Sequence, residues 1–341
     1  MNMMCEFSEF DRAMMERALA LAARGRGHVA PNPMVGAVIT APDGRIIGRG
    51  WHRRYGGPHA EVNAVRSVSD ADRALLPEST IYVTLEPCSH YGKTPPCAKL
   101  LTECRFRRVV VGAGDPNPKV NGRGIAMLRE AGIEVDCGLL ADESERLNAA
   151  FFTAHRLHRP YITLKIARSA DGYMDWRRAP GQPAARFSNR ATTLSTMRLR
   201  AENMAILTTA ATVLADDPAL TVRKWPGSQP VPVIIDRHHL LSRNEKIFSN
   251  PVQPMLIEGY ESLEALFAGL YYSGFTSVLV EAGPCFTGAL LEAGLWDALR
   301  VETAPVTLGD EGTSPCPPLP SQAPESREIL GGNTIEWYRH R

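Results

Sequence analysis

Short apolar runs alternate with helical segments along most of the chain, and this alternation limits the fold more than any other feature of the sequence. The runs MVGAVIT, TIYVTLEP and RVVVGAG are of strand length, whereas DRAMMERALALAAR places apolar residues at helical spacing and IAMLREAG is typical of a further helix. Strands that alternate with helices form sheets whose faces are covered by helices. The sequence therefore predicts an α/β fold with a largely buried sheet.

The length of 341 residues predicts two domains, because one domain usually takes about 150 residues. The segment NAAFFTAHRLHRP is typical of a helix end followed by a basic connector that closes at a proline, and the strand YITLKIA follows it. We therefore expect a first domain over residues 1–150, a linker over 151–160 and a second domain over 161–341. The Pro- and Ser-rich stretch at 312–326 predicts an irregular surface loop.

The charges of the chain nearly cancel, since 38 Lys and Arg face 37 Asp and Glu. A protein that mainly binds nucleic acid needs a basic face, so this balance argues against such a partner but allows a local basic pocket for one phosphate. The chain has no apolar run of the ~18–20 residues that a membrane helix needs, and its first residues lack a signal-peptide pattern. Its seven cysteines are odd in number and irregularly spaced. We expect a soluble cytoplasmic protein whose cysteines bind metal or lie buried.

The strongest chemical signal is the pair of segments GPHAEVNAV and LEPCSHYGKTPPC. They supply one imidazole and two thiolates, from His59, Cys88 and Cys97, which suit Zn²⁺ and leave its fourth tetrahedral position for water. A catalytic zinc lowers the pKa of that water towards 7. Glu61 is too close in sequence to His59 to serve as a spare ligand and is better placed to shuttle protons. The pattern therefore predicts a hydrolytic zinc site.

Two other interpretations of these residues are open. Cys104 or His90 could close the site as a fourth ligand and make the zinc structural, although such a site has no use for Glu61 beside its ligand. The cysteines could also be ordinary buried thiols. The order His-x-Glu followed by Pro-Cys is the signature of zinc-dependent nucleobase deaminases, but here eight residues rather than two separate the cysteines.

The longer cysteine gap resembles one known family. EPCSHYGKTPPC, together with HVAPNPMVGAVI, GWHRRYGGPHAE and GAGDPNPKVNGRG, is similar to the deaminase half of the bifunctional pyrimidine deaminase/reductases of riboflavin biosynthesis. The resemblance implies a cytidine-deaminase-like α/β/α sandwich. It also implies hydrolysis of the 2-amino group of 2,5-diamino-6-ribosylamino-4(3H)-pyrimidinone 5′-phosphate, a small-molecule pyrimidine ribonucleotide.

The same resemblance implies substrate-binding positions around the metal. They are Asn32, His52, His90, Lys93, Asp115 and Asn117, with Lys93 as a partner for the substrate phosphate. Taken alone, each is at least as typical of a solvated loop, and PNP around Asn32 is typical of a turn.

The second half continues the resemblance through TLKIARSADGYMD and MAILTTAATVLADDPALTVR. These segments are similar to the family's reductase half, which implies a dihydrofolate-reductase-like α/β domain that uses NADPH to reduce the ribosyl side chain to ribityl. Asp216 is our candidate for the group that handles the proton. The substrate-binding positions that we assign are Lys165, Arg200, Leu220, Arg223 and Glu281. Two arginines suit a phosphate, because a guanidinium binds it through paired hydrogen bonds, but taken alone both are more typical of a helix surface.

SVLVEAGPCFTGALLEAG predicts a buried strand, a glycine-containing turn and a helix that begins near Thr287. The free N–H groups and dipole of a helix N-terminus favour phosphate there. The segment lacks the GxGxxG fingerprint, so we do not expect a Rossmann fold. The cofactor-binding positions that we assign are Ala167, Arg186, Thr212, Asp216, Arg237, Gly283, Pro284, Thr287 and Gly288.

One segment departs from the family pattern. Where members usually carry Gly-x-Ser-x-Trp, this chain has GQPAAR, with Ala184 in place of the Ser and Arg186 in place of the Trp. Arg237 also replaces a small polar residue. These changes leave open a deaminase whose second half is degenerate and does not reduce. A deaminase of polynucleotide bases and a zinc-stabilised nucleotide-binding regulator are further alternatives, and assembly into a homo-oligomer, a dimer or tetramer, is the family expectation.

Overall fold

The computed structural model describes residues 6–91, 95–117, 121–179 and 182–340. It divides the chain into two compact units, the first ending at Leu157 and the second beginning at His158. Residues 151–160, which the sequence predicts as a linker, are mostly helical, because Phe151 and Phe152 are buried against Leu85 and Ala113 of the first unit. Within the described ranges, no helix is long and apolar enough to cross a membrane.

The first unit is a five-stranded sheet flanked by helices. Its elements are α1 (Glu9–Ala22), β1 (Gly36–Thr40), β2 (Ile46–Trp51), α2 (Ala60–Arg66), β3 (Thr80–Leu85), α3 (Cys97–Glu103), β4 (Arg108–Ala113), α4 (Arg123–Glu130), β5 (Glu134–Cys137), α5 (Ala141–Leu147) and α6 (Ala149–Leu157). The strand order is β2-β1-β3-β4-β5. β1 is antiparallel to β2 and β3, whereas β3, β4 and β5 are parallel. The carboxyl ends of β2, β3 and β4 therefore lie at one edge of the sheet.

Helices cover both faces of this sheet. On one face, Ala64 of α2 and Leu101 of α3 belong to the core that includes Val83 and Val111, and on the other face Met15 of α1 packs with the remaining strand residues. The predicted three-layer α/β/α arrangement is confirmed. The close contact between α2 and β2 requires glycine at position 50, since a Cβ there would lie 2.3 Å from the Ala60 carbonyl oxygen at the start of α2.

Helix α1 is tied to the sheet by a partly buried ionic network. Arg108 donates to the Asp11 carboxylate at 2.7 Å and to the Asp136 carboxylate at 2.7 Å, and the Tyr82 hydroxyl donates to Asp11 at 2.7 Å. Ser8 and Asp11 also form a reciprocal capping box at the start of α1. This network joins the outer helix to β3, β4 and β5.

Replacing Arg108 by methionine is expected to lower the free energy of unfolding of the first unit by about 3 kcal/mol, because two carboxylates lose their shared partner. Burial raises the pKa of Asp11, but the hydrogen bonds from Tyr82 and Arg108 outweigh burial and lower it. The stabilisation is therefore present above about pH 4 and is lost as the pH falls through the lowered pKa. Urea unfolding at several pH values measures it, and an equal difference between the two proteins at pH 7 and well below pH 4 would contradict the assignment.

The second unit contains a larger sheet. Its elements are β6 (Tyr161–Arg168), α7 (Arg190–Ala201), β7 (Ala205–Thr209), α8 (Ala210–Asp216), β8 (Val231–Ile235), β9 (Met255–Ile257), α9 (Leu263–Tyr272), β10 (Ser277–Val280), α10 (Pro284–Glu292), β11 (Ala298–Thr303), β12 (Ser326–Leu330) and β13 (Asn333–Arg339). The strand order is β12-β13-β11-β6-β10-β7-β8-β9. Among the described strands of this sheet, β13 is antiparallel to both of its neighbours, β12 and β11, and all other neighbouring pairs are parallel. Residues 312–325 form an irregular loop, as predicted.

This sheet is also covered on both faces. Leu266 and Phe267 of α9 and Leu290 of α10 pack on one face, and Val213 of α8 packs with Ile234 on the other. Because the six strands from β11 to β9 run parallel, their carboxyl ends meet at one edge. Ligands of parallel α/β sheets bind at that edge, and Glu281, Thr212 and Arg237 follow three of these strands.

Candidate functional site

The candidate metal-binding residues of the first unit come from two helix starts and from the segment after β3, at the sheet edge. His59 is the N-cap of α2, Cys88 follows β3, and Cys97 begins α3. The His59 Nδ1 atom lies 3.6 Å from Cys88 Sγ and 3.3 Å from Cys97 Sγ, and the three donor atoms all lie within 4.8 Å of one another. One nitrogen and two sulfur donors at this spacing fit a tetrahedral zinc ion with one open position.

The two thiols of the group have pKa values shifted in opposite directions. Hydrogen bonding from Cys97 lowers the pKa of the Cys88 thiol to about 4, and the pKa of Cys97 is raised by its bond to Cys88 and by burial. The Cys97 backbone N–H also donates to Cys88 Sγ at 3.3 Å. Among the described residues this metal-binding group contains neither Cys104, which packs against the apolar core, nor His90, which is exposed.

Glu61 lies one residue into α2 and is only 3% exposed. Burial raises the pKa of its carboxyl to about 6. A carboxyl whose pKa lies this close to neutrality can both accept and return a proton under ordinary conditions. The helix start that carries His59 therefore also carries a buried carboxyl beside the metal-binding group.

His52 and Asn32 form a hydrogen-bonded pair beside this group. The His52 ring packs edge-on against the His59 ring at 5.5 Å between centroids. Its Nδ1 lies 3.1 Å from the Pro58 carbonyl oxygen, which can only accept, so Nδ1 carries the hydrogen. Burial lowers the pKa of His52, so the ring is neutral and its Nε2 accepts from Asn32 Nδ2 at 3.3 Å. This chain of bonds fixes the orientation of the Asn32 amide.

Asp115 and Asn117 follow β4 at the same edge. Burial raises the pKa of Asp115 to about 6, and its carboxylate accepts the Asn117 backbone N–H at 2.8 Å. Lys93 lies outside the described residues. The structure thus brings Asn32, His52 and Asp115 to the sheet edge that carries the metal-binding group.

Glu86 is a buried residue at this sheet edge that the sequence motifs did not single out. Its carboxylate accepts backbone N–H groups from Gly122 at 2.9 Å, Gly124 at 3.0 Å and Asp115 at 3.3 Å. It therefore holds the loop after β4 and the first turn of α4 next to the cysteine loop. The sequence does contain a signal for this residue, since Glu86 directly follows a buried strand and lies two residues before Cys88.

In the second unit, Arg200 and Glu281 form a buried ion pair. Arg200 Nε and Nη2 donate to the two Glu281 carboxylate oxygens at 2.7 and 2.9 Å, and Nη1 donates to the Thr221 carbonyl oxygen at 3.0 Å. Burial raises the pKa of Glu281, but the Arg200 guanidinium outweighs it and lowers the pKa to about 2. Arg200 and Glu281 thus bind each other. Of the other predicted substrate-binding residues, Arg223 is exposed, and Leu220 is buried with a positive φ of 48°.

Asp216 ends α8 and is held by a residue that the sequence analysis did not single out. Arg178 Nη2 donates to Asp216 at 2.6 Å and Nη1 donates to the Ala215 carbonyl oxygen at 2.7 Å. Arg178 also pairs with Asp175, which accepts the backbone N–H of Ala185 at 2.9 Å. The segment around Ala184, which differs from the family pattern, is therefore connected to Asp216 through Asp175 and Arg178.

The predicted cofactor turn has the expected form. Gly283 is the N-cap of α10, Pro284 is its first residue, and Thr212 Oγ1 accepts the Gly283 N–H at 3.2 Å. The first-turn amides of a helix have no acceptor within the helix, so this end can receive phosphate. Thr287 is buried and donates to the Ala282 carbonyl oxygen, while Gly288 lets Pro317 approach closely. These residues fit a phosphate-bearing cofactor.

The remaining predicted cofactor residues differ in exposure. Ala167 pairs with Glu302 across the sheet and is half-buried. Arg186 and Arg237 are exposed, and the Arg237 guanidinium lies 5.2 Å from the centre of the Tyr260 ring. Both arginines are thus free to reach an anionic group from the surface.

Comparisons with known proteins match both halves. The model of the cytidine and deoxycytidylate deaminase zinc-binding region matches residues 8–113, and that of the RibD C-terminal domain matches residues 160–330. The riboflavin biosynthesis protein RibD of Escherichia coli is 41% identical over 344 residues, with 90% of each chain covered. The solved structure of Acinetobacter baumannii RibD has a TM-score of 0.89 and 32% identity, covering 98% of this chain and 99% of that one. The diaminohydroxyphosphoribosylaminopyrimidine deaminase/5-amino-6-(5-phosphoribosylamino)uracil reductase of Thermotoga maritima has a TM-score of 0.85 and 32% identity, covering 97% and 99%.

The fold and the two sites define a zinc-dependent deaminase joined to an NADPH-dependent reductase of dihydrofolate-reductase-like fold. The chain belongs to the RibD family of riboflavin biosynthesis proteins. The predicted fold class, the bifunctional deaminase/reductase activity and the cofactors Zn²⁺ and NADPH are confirmed. A degenerate second half is not favoured, because the RibD C-terminal match spans that half.

Proposed function

We propose that the two units act in sequence on one pyrimidine ribonucleotide, with the residue roles given below. The observation that carries the proposal is the metal-binding group of His59, Cys88 and Cys97 with the buried carboxyl of Glu61 beside it. A purely structural metal site would not need that carboxyl. The substrate is the diaminopyrimidinone ribonucleotide, and the deaminated product is the substrate of the second unit.

In the first unit, the bound zinc supplies an activated water. Glu61 takes a proton from this water, delivers it to the adjacent ring nitrogen and passes a second proton to the departing amine, so that water is consumed and ammonia is released. Asn32, held by His52, aligns the pyrimidine edge. Asp115, Asn117, His90 and Lys93 bind the ribose and its phosphate.

In the second unit, bound NADPH supplies a hydride. Ring opening moves the proton of the side-chain nitrogen to the sugar ring oxygen and gives an imine; hydride then adds to C1 and one solvent proton adds to nitrogen. Asp216, oriented by Arg178, exchanges the nitrogen proton. Lys165, Leu220 and Arg223 bind the substrate, and the Arg200–Glu281 pair shapes the floor of its site.

A direct test measures the oxidation of NADPH by its absorbance, with either the diamino compound or its deaminated product as the substrate. The purified enzyme with Glu61 intact oxidises NADPH in the presence of the deaminated ribosylaminouracil phosphate. An E61Q enzyme oxidises it with that compound but not with the diamino compound. Oxidation of NADPH by E61Q with the diamino compound would contradict the proposed order of the two reactions.

The exposed arginines are proposed to bind the 2′-phosphate of the cofactor. Replacing Arg186 or Arg237 by alanine is expected to raise the KM for NADPH about tenfold, because a charge-assisted phosphate contact contributes on the order of 1.4 kcal/mol. The KM for NADH, which lacks this phosphate, should change little. Steady-state kinetics with both cofactors measure the difference, and equal effects on the two cofactors would refute the assignment.

We also propose that the protein works in the cytoplasm as a homo-oligomer, a dimer or tetramer, with no nucleic-acid or membrane partner. The support is the family expectation and the nearly cancelling charges. Light scattering after size-exclusion chromatography measures the assembly, and a monomer at working concentrations would contradict it.

A further inference from the structure

A row of charged residues lies on one face of the second sheet, under helix α7. Leu299 and Val301 of β11 point into the apolar core, so Arg300 and Glu302, which alternate with them, lie on the opposite face. Arg300 and Glu302 are both 0% exposed. In the strand pairing, Arg300 lies opposite Lys165 of β6.

Helix α7 meets this row with polar side chains. Thr192, Thr196 and Arg200 follow one another at four-residue spacing and are all buried. A helix that covers a sheet usually does so with apolar residues. The polar layer between α7 and the sheet is therefore a specific feature of this unit.

Each carboxylate in the layer is held by an arginine. Glu281 is bound by Arg200, and Glu302 pairs with Arg300 at 3.4 Å while also accepting from Ser188 Oγ at 3.0 Å. Glu302 accepts a further bond from Asn333 Nδ2 at 2.7 Å. No hydrogen bond or ion pair of the Lys165 amino group is found within the described part of the chain.

Lys165 lies between these two pairs. The charged groups that face it are Glu281 from the end of β10, Arg200 from α7, and Arg300 and Glu302 from β11. Burial lowers the pKa of Lys165, the two carboxylates oppose that change, and the two arginines reinforce it. The Lys165 side chain as a whole is partly exposed.

We propose that Arg300 is a positioning residue of the reductase site: by pairing with Glu302 it prevents this carboxylate from binding Lys165, and so keeps the Lys165 amino group free for the substrate. This proposal rests on the substrate-binding role of Lys165 proposed above. Arg300 acts through Lys165 and does not itself touch the substrate, since it has no exposed surface.

Stability alone does not account for Arg300. A buried ion pair is often no more stabilising than apolar residues of similar volume. The Nε and Nη2 atoms of Arg300 donate to no acceptor among the described residues, which adds to the cost of burying it. Arg300 is costly to bury and lies next to a lysine that has no hydrogen-bond or ion-pair partner among the described residues, which indicates a role in the site.

The test uses three variants of the full-length enzyme: Arg300→Met, Glu302→Gln and the double variant. Arg300→Met is expected to lower kcat for reduction about tenfold, because Glu302 is then free to pair with Lys165. The double variant is expected to recover most of this loss, since glutamine offers no charge to Lys165. Deamination by the first unit is measured in the same samples as an internal control and should be unchanged. Failure of the double variant to recover reduction, with both proteins folded, would overturn the proposal.

A second readout does not depend on reduction. Trace acetylation followed by peptide mass spectrometry reports the reactivity of Lys165 as a function of pH. Arg300→Met should raise the pKa of Lys165 by about one unit and slow its acetylation about tenfold at a pH below that pKa, and the double variant should restore the rate. Equal Lys165 reactivity in all proteins would overturn the proposal. If the wild-type enzyme did not reduce but the acetylation rates changed as expected, the proposed function would fail while the arrangement of Arg300, Glu302 and Lys165 would stand.

Discussion

Replacing Glu61 by glutamine is expected to lower the rate of deamination by about 10³-fold or more while reduction of the deaminated compound continues. Glutamine keeps the volume and the hydrogen-bonding shape of the buried side chain but cannot carry the proton, and loss of a general acid–base costs about 10²–10⁴-fold. Because the ligands His59, Cys88 and Cys97 are untouched, zinc should remain bound. Ammonia release, NADPH oxidation and metal analysis of one preparation measure the three quantities.

A matched control is Glu103→Gln at the end of α3, where the side chain is 63% exposed and distant in sequence from the helix start that carries Glu61. This variant should deaminate at the wild-type rate. If E61Q kept a tenth or more of the activity with zinc bound, the proton-carrier role would be wrong. If E61Q lost its zinc, Glu61 would have to be assigned to the metal group instead.

Replacing Arg200 by methionine is expected to lower the free energy of unfolding of the second unit by about 3–5 kcal/mol, because it leaves the Glu281 carboxylate buried without its partner. Reduction should be lost as well, since the floor of the substrate site is rearranged. Tryptophan fluorescence during urea unfolding reports mainly on this unit, because Trp176, Trp225, Trp296 and Trp337 belong to it.

The pH dependence of this effect follows from the pKa of Glu281, which is lowered to about 2 in the folded protein from an ordinary value of 4.5. The stabilisation by the pair is therefore complete above about pH 5 and is lost as the pH falls towards 2. The difference between the variant and the wild type should shrink over that range.

The neighbouring Arg198 gives a control on the same helix. Its side chain is 54% exposed and pairs with Glu202 one turn away, so Arg198→Met should cost less than about 1 kcal/mol. Equal losses of stability in the two variants would mean that the Arg200–Glu281 pair contributes no more than a surface contact.

Local patterns predicted the metal site well. His59 and Glu61 share one helix start, and Cys88 and Cys97 belong to one short stretch of sequence, so their chemistry is visible in short segments. The α/β class could also be predicted, because strand-length apolar runs and helical spacing are local patterns. The helical form of residues 151–157 was not visible in the sequence, because the burial of Phe151 depends on contact with distant strands.

Pairing between distant segments could not be predicted. Arg200 and Glu281 are 81 residues apart, and no local pattern shows that these two predicted substrate-binding residues bind each other. Arg300 and Glu302 alternate with apolar residues, which is also the pattern of a strand with one face in water. Only the position of β11 inside the sheet, under α7, shows that both charges are buried.

The central claim, that one chain carries out both reactions, is tested most directly by one incubation analysed by mass spectrometry. Zinc-loaded protein is mixed with the diaminopyrimidinone ribonucleotide, with and without NADPH. Exchange of the amino group for oxygen adds about one mass unit, and hydride plus proton add about two more. We expect the first change in both tubes and the second change only with NADPH. Deamination without reduction would show that the second unit does not reduce on its own, and no change in either tube would contradict both assigned activities.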